Sequence, residues 1–98
     1  MEVIFEDHDL EKLETDSGFD AGLSGEIIKA YRKRIQQIRA AIDERDFYSL
    51  KSLRFEKLKG SRDHQRSMRL NDQWRLIVEL RGESSNKVVV IIAIEDYH

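Results

Sequence analysis

Six side chains in the second half of the chain are of the types that can cleave RNA. They are Glu56, Lys59, Arg75, Asp96, Tyr97 and His98. In metal-free cleavage the 2′-hydroxyl attacks the adjacent phosphate, which requires a base, an acid for the leaving 5′-oxygen, and cations for the charge on phosphorus. A histidine such as His98 can take either proton role, Glu56 is a candidate base, and the Tyr97 ring can stack on an RNA base.

Each of these residues also has an ordinary explanation. An acid such as Glu56 is often a surface salt-bridge partner, and Tyr97 can equally cover the core. The sequence EDYH, which follows the apolar stretch VVVIIAI at 88–94, can be a frayed polar end. The elements that position these residues must therefore be considered.

The composition narrows the range of possible functions. The 98 residues fit one domain, 1–98, and contain no cysteine, so disulfides and thiolate metal sites are excluded. The three histidines lack metal-ligand spacing and no nucleotide-binding or hydrolase motif occurs, so we predict no metal and no cofactor. Without a membrane-length apolar run or a signal-peptide pattern, a cytoplasmic location is expected.

The charges are distributed unevenly along the chain. Residues 1–23 carry one base and eight acids, whereas residues 24–75 carry fourteen bases and seven acids. A basic middle segment favours a polyanion such as nucleic acid as partner, and a solvated charged face is the alternative.

The apolar spacing predicts the helices. MEVIFE is typical of a short strand, and DHDLEKLETD predicts a brief helix with Asp7 or Asp9 as N-cap. From Ser24 onward an apolar stripe with helical period predicts a long helix that continues through Ile42. DFYSLKSL predicts one further helical turn.

Alternating residues predict a hairpin in the second half. Met68 and Leu70 share a parity with Trp74 and Leu76, which we assign to the core, and NDQ at 71–73 forms the loop. This register places Arg69 opposite Arg75 on the outer face. Two opposed cations favour an anion between them, unless Glu79 or an acid of another strand neutralises them.

Three more cations near this hairpin are candidates for binding RNA phosphate. With Arg69 they make up the predicted phosphate-binding set, Lys57, Arg62, Arg66 and Arg69, beside the Lys59 and Arg75 already named. The stretch VVVIIAI has no alternation, which predicts a central strand covered on both faces. These elements predict an α+β fold, with two helices and an N-terminal strand on a mainly antiparallel four-stranded sheet.

Residues 55–80, FEKLKGSRDHQRSMRLNDQWRLIVEL, followed by the final DYH, resemble the HigB branch of the RelE toxin superfamily. The resemblance implies a microbial-ribonuclease-like fold. It also implies metal-free cleavage of mRNA in the A site of the 70S ribosome, and neutralisation by a HigA-type helix-turn-helix antitoxin through which any contact with DNA is made. It carries functional roles to Lys59, Arg75, Asp96, Tyr97 and His98. Glu56 stands where some HigB proteins have histidine.

Two other interpretations remain at the level of sequence. The chain can be a weakly active or non-catalytic relative that binds RNA or its antitoxin and regulates transcription with it. It can also be an interaction domain in which protein acids neutralise Arg69 and Arg75.

Overall fold

A computed structural model describes residues 1–83 and 86–96. The described elements are β1 (Glu2–Phe5), α1 (His8–Thr15), α2 (Gly25–Ala40), α3 (Arg45–Ser49), β2 (Glu56–Lys57), β3 (Gln65–Arg69), β4 (Trp74–Arg81) and β5 (Val88–Asp96). Short 3₁₀ turns occur at Lys51–Leu53 and Gly60–Arg62. The predicted α+β class is confirmed. In residues 1–83 and 86–96 no helix is long and apolar enough to span a membrane.

The sheet has five strands in the order β1-β5-β4-β3-β2, not the four predicted. The additional strand is β2, a two-residue edge strand that is too short to produce a periodic signal. β1 pairs with β5 in parallel, and the other pairs are antiparallel. β5 is an interior strand between β1 and β4, in agreement with the prediction of a strand covered on both faces. Its consecutive residues Val90 and Ile91 face opposite sides of the sheet and are 1% and 0% exposed.

The long helix begins where the sequence predicts and ends earlier. The Ser24 hydroxyl caps α2 by accepting a hydrogen bond from the Ile27 N–H at 3.3 Å. The prediction that Ile42 belongs to the buried stripe is wrong: α2 ends at Ala40, and Ile42 is 88% exposed. The Ile42 N–H instead donates to the Asp46 carboxylate at 2.8 Å, which stabilises the chain outside the helix.

A buried hydroxyl group of α2 forms a hydrogen bond with α1. Asp7, one of the two predicted caps, accepts from the Asp9 N–H at the start of α1. Tyr31 of α2 is fully buried and donates its hydroxyl to the Leu10 carbonyl at 2.6 Å. Burial, and secondarily the Glu14 carboxylate, raise the pKa of Tyr31 above its usual range, while Arg39 acts weakly in the opposite direction.

The two faces of the sheet differ in what covers them. One face, here called the helical face, packs on α1 and α2 and forms the core. Its strand residues and the helical residues against them are Met68, Leu70, Leu76, Val78, Val89 and Ile91 with Leu10, Leu13, Ile27, Ile28, Tyr31, Ile35 and Ile38. The opposite face, here called the polar face, carries Ser67, Arg69, Arg75, Ile77, Glu79 and Glu95 by strand alternation and register.

A candidate active site on the polar face

The segment 58–64 returns the chain to the sheet next to the polar face. The Leu58 N–H donates to the Gln65 carbonyl at 3.1 Å, which closes the segment on itself. Gly60 has φ +68°, a left-handed conformation that favours glycine, and it opens the 3₁₀ turn Gly60–Arg62. This turn brings Arg62 to the sheet, where it donates to the Glu95 carboxylate.

The hairpin has the predicted register. Met68 lies opposite Leu76 and Arg69 opposite Arg75, and the Leu70 N–H donates to the Trp74 carbonyl at 2.9 Å. The Asn71 side chain holds the three-residue loop, since it accepts from the N–H groups of Gln73 and Trp74, both at 2.8 Å. Trp74 is partly buried against the core, as its parity predicts.

The two opposed arginines differ in their surroundings. Arg69 donates to the Asp72 carboxylate of the hairpin loop at 2.5 Å, and this hydrogen bond lowers the pKa of Asp72. Arg75 was expected to point to solvent but is 8% exposed. Glu79, the predicted neutraliser, instead pairs with Arg81 at 3.1 Å. Asp72, an acid of the hairpin loop, therefore neutralises Arg69.

A third arginine reaches this region from the helical side. Arg34 of α2 is 8% exposed and donates its Nε to the Arg69 carbonyl at 2.8 Å and an Nη to the Gln37 side chain at 2.9 Å. Burial, and then the nearby Arg69 charge, lower the pKa of Arg34. Sequence reasoning missed this residue, because an arginine on a basic helix gives no sign that it will be buried. Its hydrogen bond fixes the backbone that carries Arg69.

The end of β5 supplies two carboxylates. Glu95 lies opposite Arg75 and Asp96 opposite Trp74. The Glu95 carboxylate accepts from Arg62 at 2.7 Å, and Arg62 also donates its Nε to the Gln65 side chain at 3.0 Å. The Asp96 carboxylate accepts from the Gln73 side chain at 3.1 Å. The last strand is thus connected to segment 58–64 and to the hairpin loop.

Segment 58–64, the β3–β4 hairpin and the end of β5 line a pocket of about 490 Å³. Its lining residues are Leu58, Arg62, Ser67, Arg75, Ile77, Glu95 and Asp96. Leu58 and Ile77 provide an apolar lining, whereas the guanidinium and carboxylate groups are arranged around it. A pocket of mixed polarity with convergent cations suits a group that carries both an apolar ring and an anion, such as a nucleotide.

Comparison with known proteins identifies the family. The family described as "RelE-like toxin of type II toxin-antitoxin system HigB" matches residues 3–98. This chain belongs to that family. RelE-like toxins are generally endoribonucleases, and membership in a type II system implies an antitoxin partner.

The fold agrees with this family. A solved structure titled "YoeB/ParE toxin from Agrobacterium tumefaciens" superposes with a TM-score of 0.61 at 16% identity, over 100% of both chains. At this identity the likeness shows a shared fold. No curated protein sequence matches the chain.

The predicted site residues of this RelE-like toxin fall into separate groups. Arg62, Arg75 and Asp96 line the pocket, and Arg69 lies opposite Arg75 on the same face. Glu56 is exposed and pairs with the pocket residue Ser67, so it shares the polar face.

The remaining predicted residues stand apart. Lys59 is exposed at the start of the turn Gly60–Arg62. Lys57 pairs with Arg66, and Arg66 pairs with the core residue Val78, so register directs both cations to the helical side of the sheet edge. Tyr97 and His98 lie outside the described residues.

The structure also adds site residues that sequence reasoning missed. Glu95, Ser67 and Leu58 line the pocket, and Gln65 holds Arg62 in place. Glu95 was within the EDYH segment, and the opposed positions of Arg75 and Glu95 would have followed from a β4–β5 register. That register has a bulge at Ile77/Val78, which no local pattern indicated.

Among residues 1–83 and 86–96, no group of three or more histidine, aspartate or glutamate side chains is arranged to hold a metal ion.

Proposed function

We propose that this toxin is a ribosome-dependent endoribonuclease that cleaves mRNA in the ribosomal A site through metal-free attack by the 2′-hydroxyl. The observation that carries the proposal is the convergence of segment 58–62, the β3–β4 hairpin and the end of β5 around one pocket. Family membership supports the same reaction class. Residues far apart in sequence can then act together on one phosphodiester.

The cations of the polar face have the role of binding and stabilising phosphate. Arg75 is the central cation, because it lines the pocket and is largely withdrawn from water, where an arginine–phosphate contact is stronger than at an open surface. Arg69, which lies opposite Arg75, and Lys59, which precedes the turn Gly60–Arg62, hold neighbouring parts of the RNA. Lys57, Arg62 and Arg66 then act on the flanking backbone, and for Lys57 and Arg66 that RNA must pass the edge of the sheet.

Proton transfer is assigned to carboxylates and to the end of the chain. Glu56, exposed on the polar face, is the candidate base, and Asp96 and His98 are candidates for delivering a proton to the leaving oxygen. Tyr97 is the candidate stacking platform for a base. Asp96 lines the pocket and directly precedes Tyr97 and His98 in the sequence, which supports assigning roles at the same site to these two residues.

A binding function without catalysis is the second candidate. Two predicted phosphate ligands are engaged with acids of the protein, Arg62 with Glu95 and Arg69 with Asp72. Glu56 also stands where some HigB proteins have histidine and others have glutamate. These observations favour a relative that binds RNA or its antitoxin and regulates transcription.

The test is to induce the protein in bacteria and map the 5′ ends of messages. The enzyme produces new, in-frame 5′ ends on translated RNA, and the binder produces none. Arg75→Ala is expected to lower cleavage by about 10²–10³-fold, the usual cost of losing one preorganised group that stabilises transition-state charge. Unchanged cutting by a folded Arg75→Ala protein would contradict the assigned role.

Arg81→Ala is the matched control. Arg81 lies on the same strand and the same face and is half exposed, but it pairs with Glu79 and Glu6 at the other end of the strand. The substitution Arg81→Ala removes the same charge as Arg75→Ala but at a position outside the pocket, so the cleavage pattern of this variant should equal that of the wild type. His98→Ala extends the test to a residue beyond those described, with an expected loss of about 10²-fold or more.

The proposed partner is a HigA-type antitoxin with a helix-turn-helix domain. Co-expression with the product of an adjacent helix-turn-helix gene should suppress growth inhibition and yield a stable co-purifying complex. Absence of such a complex would remove this partner while leaving the nuclease proposal to the cleavage test.

A further inference from the structure

The charges that line the pocket balance one another. Arg62 and Arg75 contribute two positive charges, and Glu95 and Asp96 contribute two negative ones. A pocket built only to attract anions would have a surplus of cations. Here the acids reduce that surplus to zero, although the segment 24–75 that supplies both arginines is strongly basic.

Glu95 is the acid placed to control this balance. It lies directly opposite Arg75 across β4 and β5, and its carboxylate accepts from Arg62 at 2.7 Å. Gln65 holds the other side of the same guanidinium at 3.0 Å, so Arg62 has a fixed position between the two. The Glu95 side chain keeps 40% of its exposure, so it remains within reach of a ligand that enters the pocket.

A carboxylate beside a phosphate site acts differently on the two forms of RNA phosphate. An internal phosphodiester carries one negative charge, whereas a terminal phosphomonoester carries nearly two at neutral pH, because its second pKa is about 6. Coulombic repulsion is proportional to the ligand charge, so a nearby carboxylate opposes the monoester about twice as strongly in free energy. The factor by which the carboxylate lowers the affinity for the monoester is then the square of the factor for the diester.

We propose that Glu95 makes the pocket selective for a singly charged internal phosphodiester over a doubly charged terminal phosphomonoester. This inference rests on the proposed function, in that it takes RNA as the ligand, and it adds which phosphate of the RNA is accepted. Glu95 is a specificity-determining residue on this view, and Arg62 is the cation that it restrains. RNA ends that carry a phosphomonoester, which form once water opens the 2′,3′-cyclic phosphate left by cleavage, are then poor competitors for the site.

The test compares two small probes that cannot be cleaved. One is a 2′-deoxy dinucleotide, a monoanionic diester, and the other is a 2′-deoxynucleoside 3′-monophosphate, a dianion at pH 7.5. Dissociation constants are measured by NMR titration of the full chain, for the wild type and for Glu95→Gln. Glutamine keeps the shape of the side chain and can still accept a hydrogen bond from Arg62.

In Glu95→Gln the affinity for the diester should rise by about fivefold and that for the monoester by about 25-fold, taking unit charges about 4 Å apart with water-like screening. At pH 5, where the monoester carries about one charge, the two factors should converge. Glu26→Gln, which removes an exposed acid from the first turn of α2, is the control and should change neither constant.

Equal factors for the two probes at pH 7.5, or no gain for either, would overturn the inference. Failure of the wild type and the variant to bind either probe would overturn it as well, even for a protein that cuts mRNA. Selectivity that follows Glu95 in a protein that produces no mRNA cleavage would refute the proposed nuclease and leave the selectivity standing. The two proposals therefore fail separately.

Discussion

The helical face and the polar face of the sheet are built from the same strands and bury their residues in different ways. On the helical face, Leu76 and Val78 are fully buried beneath apolar helix residues. On the polar face, Ile77 and Arg75 are 2% and 8% exposed, and charged side chains such as Arg62 and Glu95 surround them. The apolar side chains of the helical face can be exchanged for others that keep the same total volume and pattern. The polar face, in contrast, depends on the identity and the position of each charged side chain.

This difference separates stability from activity. Substitutions on the helical face should change the free energy of unfolding and reduce activity only through loss of folded protein. Exposed positions on the polar face should change activity with little effect on unfolding. Four substitutions test this separation.

The largest effect is expected for Glu56→Gln. If Glu56 is the general base, cleavage falls by about 10²–10⁴-fold, and because Glu56 is exposed the free energy of unfolding changes by no more than about 0.5 kcal/mol. Initial cleavage rates on translating ribosomes and urea denaturation measure the two quantities. Glu56→His should retain much of the activity, since some HigB proteins have histidine there. A Glu56→Gln protein with wild-type rates would assign the base elsewhere.

Ile35→Ala tests the helical face. Ile35 is completely buried, so its truncation leaves a cavity and should lower the free energy of unfolding by about 2–5 kcal/mol. Ile42→Ala is the same chemical change at a position that is 88% exposed, and it should stay within about 0.5 kcal/mol of the wild type. Comparable losses in both variants would restore Ile42 to the buried stripe. Cleavage per folded molecule should be unchanged in each.

Tyr31→Phe gives a smaller effect that depends on pH. Loss of the hydrogen bond to the Leu10 carbonyl should cost about 0.5–1.5 kcal/mol near neutral pH. Because burial raises the pKa of Tyr31 in the folded state, its stabilising contribution is complete below the ordinary value of 10.0 and declines as the pH rises above it.

The wild type should therefore lose about 1.4 kcal/mol per pH unit above pH 10 through this residue, and Tyr31→Phe should lack that component. Denaturant titrations of both proteins from pH 8 to pH 11 make the comparison. Parallel curves over this range would show that the hydroxyl is not held as described.

Asp72→Asn should have the smallest effect, and it acts on the polar face. Asp72 is fully exposed and holds Arg69 at 2.5 Å, so its neutralisation makes the guanidinium available to phosphate. RNA affinity should rise a few-fold, and the slope of log affinity against log salt should steepen by up to about 0.7, the value for one additional contact to single-stranded RNA. An unchanged slope would show that Arg69 does not meet RNA even when released.

Local patterns predicted much of the helical face. The start of α2 near Ser24, its apolar stripe as far as Ile38 and the parity match of Met68 with Leu76 each depend on a few neighbouring residues, and each was confirmed. The end of α2 was missed because the stripe spacing continues to Ile42. The helix stops since other parts of the chain satisfy its end: the Met1 nitrogen donates to the carbonyls of Ile38, Arg39 and Ala41.

The polar face was harder to predict. The alternation of residues correctly predicted that Arg69 and Arg75 lie on the same face and opposite each other. It could not show that other parts of the chain bury Arg75. The burial of Arg75 requires segment 58–64 to meet the end of β5 over the sheet. The residues that make this contact are far apart in sequence, since Arg62 and Glu95 are separated by 33 positions. The alignment of β1 with β5 is parallel and has no turn signal of its own.

The parallel pairing of β1 with β5 also has a consequence for the order of folding. Val3 can pair with Val89, and Phe5 with Ile91, only after the ribosome has synthesised the whole chain between them. Until then β1 and β4 have no strand to join them, because β5 lies between the two in the sheet. Because Glu95 and Asp96 of β5 line the pocket, the nascent chain has no complete pocket until its last strand has been synthesised.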